Sequence, residues 1–159
     1  MTRFLAAALL TSLLLSSSAS SQGRPDFSGA WRMDPSRSES AVQNEPIGPV
    51  TVVISQTATE LKIETTRAQG ASAVVYKLDG SENKLADGTA TTRWDGSTLI
   101  TETVRDIKGV TVTTKESRSL NAAGNEMSVD TILVVQHGYS LRGTPNYGTG
   151  KDVFTRVRQ

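Results

Sequence analysis

From Val50 onward the chain repeats one pattern: apolar residues spaced two apart, then a short polar break containing glycine. Val50, Val52 and Ile54 fall on one side of an extended segment. Leu61 and Ile63 do the same with Lys62 and Glu64 opposite, and Val74, Tyr76 and Leu78 form a third set. A period of two belongs to a β-strand, whose successive side chains point to opposite faces. The residue types agree, since Val, Ile, Thr and Tyr suit a pleated, half-buried surface. The breaks fall at Gln69-Gly70, Asp79-Gly80, Asp87-Gly88, Asp95-Gly96, Lys108-Gly109, Gly124-Asn125 and His137-Gly138. Such pairs suit tight hairpins, where positive φ carries no steric cost for Gly and a reduced one for Asp.

Further strands are predicted over residues 90–94, 98–107, 110–120, 126–136 and 152–158, and a first one over 27–33, where Phe27, Trp31 and Met33 alternate. That makes about nine strands, and no segment carries a helical period. Residues 34–49 hold Pro35, Pro46 and Pro49 and are expected to form a loop. Closely spaced turns imply consecutive antiparallel neighbours, a meander. A meander leaves two exposed edges unless it closes on itself, so the expected fold is all-β, an antiparallel up-and-down β-barrel of about 8–10 strands. A two-sheet sandwich is the competing arrangement. Its immunoglobulin form is disfavoured because the chain has no cysteine.

Residues 1–20 carry Arg3, an apolar run from Phe4 to Leu15 and a small polar stretch, the layout of a secretory signal peptide. That run is shorter than the roughly 20 residues a membrane-spanning helix needs. One domain, residues 21–159, is then expected in the periplasm or outside the cell. Without Arg3 its basic and acidic residues balance at 16 each. The two signs interleave, as at Lys62/Glu64, Arg105/Asp106 and Lys115/Glu116, which argues against a nucleic-acid partner. A membrane barrel would need two aromatic girdles, and the whole sequence has eight aromatics. The absence of cysteine removes disulfides, thiolate nucleophiles and sulfur-ligated metals, so apolar burial and strand pairing must hold the domain.

Two short motifs carry a resemblance. Phe27-Ser28-Gly29-Ala30-Trp31, an F-x-G-x-W on the first strand, resembles the opening signature of lipocalins and fatty-acid-binding proteins. Thr155-Arg156-Val157 on the last strand is similar to the way fatty-acid-binding proteins close. The resemblance, to an exported bacterial lipocalin-like branch, implies a closed barrel with an interior cavity for small, mostly apolar ligands. It also implies that Phe27, Gly29 and Trp31 close the barrel, with Trp31 beneath Arg156 or Arg158 in a cation-over-ring contact. Fatty-acid-binding proteins carry a helical pair after the first strand, which the prolines of residues 34–49 do not permit here.

Candidate ligand-binding residues follow from these readings. Arg156 and Arg158 could bind a ligand carboxylate, or could cap Trp31 and reach solvent. Arg93, Glu102, Glu116 and Arg118 sit mid-strand, where they would serve as polar anchors inside a cavity or as ion pairs on the outer wall. Tyr76 lies on an apolar face and either packs in the core or touches ligand. His137 stands alone beside Gly138, a surface-turn setting. No G-x-S-x-G, P-loop, H-E-x-x-H or His/Asp/Glu cluster occurs, so neither catalysis, metal nor cofactor is expected. The expected function is to bind or carry a small hydrophobic or amphipathic molecule in a cavity lined by Val52, Ile63, Tyr76 and Met127. The rival is a filled barrel or sandwich acting through its surface as an interaction or inhibitor module.

Overall fold

Ten strands form one sheet in the computed structural model, which describes residues 23–41, 48–137 and 146–158. The expected leader, residues 1–20, lies outside the described residues. The strands are β1 (Gly29–Met33), β2 (Thr51–Gln56), β3 (Glu60–Arg67), β4 (Gly70–Lys77), β5 (Glu82–Leu85), β6 (Gly88–Asp95), β7 (Thr98–Ile107), β8 (Val110–Leu120), β9 (Glu126–His137) and β10 (Asn146–Arg156). Their order is β4-β3-β2-β1-β10-β9-β8-β7-β6-β5, and each pairs antiparallel with its neighbours.

The first and last strands meet in mid-sheet, with Trp31 opposite Arg156 and Met33 opposite Phe154. The two edges, β4 and β5, face each other across a seam. There the Asn83 amide donates to the Val75 carbonyl at 3.0 Å, and the Gly80 N–H to the Thr92 carbonyl at 3.0 Å. Isolated bonds replace a ladder along this seam, so the sheet is a nearly closed up-and-down barrel and not a sandwich. No helix among the described residues is long and apolar enough to cross a membrane.

Two strands depart from the pattern expected from the sequence. Glu82–Leu85 pairs with β6 although it is mostly polar, because a short strand at a sheet edge needs little apolar burial. β10 begins six residues before 152, through Tyr147, Gly148, Thr149 and Gly150. His137, read as a turn residue, ends β9 opposite Val110.

The glycines of β10 have a structural cause. After β1 the chain makes a 3-10 turn at Pro35–Arg37, capped by the Asp34 carboxylate accepting from the Ser36 N–H at 3.0 Å. It returns to pair with β10, Glu39 and Lys151 exchanging backbone hydrogen bonds of 2.7 and 2.8 Å. Ala41 then lies against Gly148 and Gly150. A Cβ at Gly148 would sit 2.0 Å from the Ala41 carbonyl oxygen, and one at Gly150 2.5 Å from its nitrogen. No side chain fits at either position, so this strap sits directly on β10.

Candidate binding site in the barrel interior

Residues paired across an antiparallel ladder share a face, so the register identifies the inner wall. At one end, the floor, that wall is apolar and filled. Trp31 and Phe27 are wholly buried, and the indole N–H of Trp31 donates to the Phe27 carbonyl at 2.8 Å. Phe27 stacks on Trp94 with ring centroids 6.0 Å apart. Leu61, Leu99, Met127 and Phe154 complete the packing. Burial of this kind stabilises by about 25 cal/mol for each Å² of apolar surface removed from water.

Arg156 seals the floor. Its guanidinium carbon lies 4.2 Å from the centre of the Trp31 ring. Its Nε donates to the Gly124 carbonyl at 2.9 Å, and the two terminal nitrogens donate to the carbonyls of Ser28 and Asp26. Gly29 makes room for it: a Cβ there would lie 2.7 Å from Arg156 Nη1, and its φ of +128° is one that side-chain-bearing residues rarely adopt.

Halfway up, the wall turns polar. Thr92 and Thr101 share a hydrogen bond of 3.1 Å between their hydroxyls, and Arg118 donates to Thr101 at 3.4 Å. The same guanidinium forms an ion pair with Glu116, two residues earlier on β8 and on the same face. The Arg118 side chain is only 9% exposed, so its charge needs this partner. Tyr76 is buried on the facing wall. Burial, then the Glu116 carboxylate, pushes its hydroxyl pKa above the ordinary value.

Above this layer a cavity of about 660 Å³ opens toward the other end, the mouth. Met33, Val50 and Leu133 give it apolar walls; Glu116, Asp152, Arg67 and Lys151 give it charge. The strap residues Glu39, Ser40 and Ala41 border it. Asp152 is half-buried, and its carboxylate makes no hydrogen bond or ion pair among the described residues. Desolvation first, and the Glu116 charge second, hold its pKa above the carboxylate norm of 3.8. At the rim Arg105 Nε lies 3.5 Å from Asp87, without hydrogen-bond geometry. No described group of His, Asp and Glu could hold a metal ion.

Measured against the sequence reading, these placements sort the candidates. Arg118 and Tyr76 face the interior. Arg93 and Glu102 stand on the outer wall, 3.7 Å apart and about half exposed, where each partners the other; they have no access to the cavity. Arg156 faces inward, but backbone carbonyls already occupy its three nitrogens, so it serves closure and not ligand capture. Arg158 lies beyond β10, exposed at the outside of the floor. Val52, Ile63 and Met127, expected to line the cavity, are buried in the floor packing instead. Asp152 and Arg67 were not anticipated. The alternation Asp152, Phe154, Arg156 on the last strand is the signal that places the first of them inside.

No protein-family model and no curated protein matches the sequence. Solved structures do match by shape. Human cRBP IV superposes with a TM-score of 0.58 at 16% identity, over 83% of this chain and 98% of its own. The fatty-acid-binding protein 1 of Echinococcus granulosus gives 0.57 at 13%, over 83% and 98%. Wild-type fluorescent protein UnaG gives 0.56 at 15%, over 82% and 97%. The chain therefore has the antiparallel barrel fold that these proteins share.

Proposed function

We propose that this protein binds a small hydrophobic or amphipathic molecule in the mouth half of its barrel. The observation that carries the reading is the cavity of about 660 Å³, within the range of roughly 300–1,000 Å³ typical of small-molecule sites. Its composition supports an amphipathic occupant: Met33, Val50 and Leu133 offer apolar surface, while Glu116 and Asp152 offer polar anchors. A barrel acting only through its surface would have no need of this volume. The reading includes no catalytic step, because the inner hydroxyls of Thr92 and Thr101 bond each other and not a general base. The fatty-acid-binding proteins of like fold are in keeping with it. The basic, apolar and small-polar succession of residues 1–20 supports an exported location.

Native mass spectrometry of freshly purified protein, followed by titration with an environment-sensitive fluorescent alkyl probe, tests the proposal. Saturable uptake of one probe per chain is expected, weakened at least about tenfold in Leu133→Trp, which fills the cavity. Neither a co-purified molecule nor saturable uptake would refute it. Cleavage of the leader and recovery in the exported fraction test the location.

A further inference from the structure

Resting on that reading, the charge layout of the cavity points to the chemistry of its occupant. We infer that the site prefers an amphiphile with a cationic amine head over one with a carboxylate, and that Asp152 is the residue that sets this preference.

The deepest cation, Arg118, is not available to an anion. Glu116 neutralises it and Thr101 takes a further donor. A carboxylate brought to Arg118 would have to displace Glu116 or lie beside it, and two like charges in a half-dry site repel strongly. Asp152 presents the opposite situation. It shares an inner-wall row with Val129 and Arg118, paired in register across β10, β9 and β8. Strand spacing puts it about 10 Å from Arg118, with the apolar Val129 between them. Its carboxylate has no hydrogen-bond or ion-pair partner among the described residues and lines the cavity. Glu116 stands one row nearer the mouth on β8, and both carboxylates border the same volume.

The remaining cations do not reverse this balance. Arg67 is on the exposed rim, where solvent screens it, and it acts on Asp152 less than Glu116 does. Lys151 borders the cavity as well, but it is exposed to solvent and its register partner is Asp130. Arg105 is drawn to Asp87. An ammonium group beside Thr131, which lines the cavity between the two strands that carry them, would meet the Asp152 carboxylate with Glu116 close by. Its alkyl chain would extend along Met33, Val50 and Leu133 toward the mouth.

Three probes of equal chain length, dodecylammonium, dodecanol and dodecanoate, separate the possibilities by calorimetric titration of the full-length protein at neutral pH. Dodecylammonium should bind at least about tenfold more tightly than dodecanoate, with dodecanol between them. Asp152→Asn should lower dodecylammonium affinity about tenfold and leave dodecanol unchanged. Glu116→Gln, which leaves Arg118 uncompensated, should improve dodecanoate binding. If dodecanoate binds as well as the amine, or if Asp152→Asn weakens amine and alcohol equally, the inference is overturned while interior binding stands. If none of the three binds, interior binding itself falls, and the inference with it.

Discussion

The two ends of one barrel are built on opposite principles. At the floor, Phe27, Trp31, Leu61, Leu99 and Met127 leave almost no surface to water, and the charged side chain of Arg156 there has carbonyl partners for its nitrogens. At the mouth the strands continue, yet the inner wall carries Glu116 and Asp152 around open volume, with Arg118 paired to Glu116 beneath it. Hydrogen-bonded ladders run the length of both, so backbone pairing does not distinguish them. Side-chain burial does. The floor holds the fold together, whereas the mouth retains groups whose burial is unfavourable for stability, as binding sites commonly do.

The largest expected effect is at the floor. Trp31→Ala should lower stability by about 3–5 kcal/mol, measured as the urea midpoint at constant slope. A loss below about 1 kcal/mol would mean that the floor is not the anchor. Gly29→Val comes next. Its Cβ would contend with Arg156 and with a φ of +128°, and the expected loss is about 1–3 kcal/mol. Because the clash is with a flexible guanidinium, the double variant Gly29→Val with Arg156→Ala should lose less stability than the sum of the two single losses.

Arg93→Ala sharpens the contrast between outer and inner wall. This exposed pair with Glu102 should contribute less than about 1 kcal/mol, and removing it should leave probe uptake unchanged. A loss of uptake would return Arg93 to the site. Smallest is a gain. The folded chain holds the Asp152 proton to higher pH than the unfolded chain does, so ionisation of this group disfavours folding. The penalty is absent well below the ordinary carboxylate value of 3.8 and appears as pH rises through the raised folded value. Asp152→Asn should therefore raise the melting temperature near neutral pH, with the difference vanishing as the solution is acidified. Equal shifts at every pH would show that the effect is not electrostatic.

Much of this architecture can be read from alternation alone, and particular residues show where that reading stops. Arg93 lies between Thr92 and Trp94, the inward pair, so its outward position is legible. Glu102 is harder. Leu99, Thr101 and Thr103 take one face of β7 while Ile100, Glu102 and Val104 take the other, and apolar residues occur on both. Ile100 is only 7% exposed although it shares the outward face. β5 escaped because Glu82-Asn83-Lys84 has no apolar period, and the first half of β10 because Gly148-Thr149-Gly150 carries no apolar alternation. The floor was marked by the F-x-G-x-W motif, since Trp31 and Gly29 are required locally. The cavity had no such mark.

The amino-acid order alone determined that the chain pairs as a meander of antiparallel strands, because a period of two and well-placed turns act between near neighbours. Which of Arg118 and Glu102 looks inward, and that β10 leaves room for a strap while Leu133 and Met33 leave volume unfilled, was decided only when distant strands closed into a ring. Facing and free volume depend on the register between β1 and β10, whose residues are more than a hundred positions apart in the chain, and no local pattern encodes a distance of that kind.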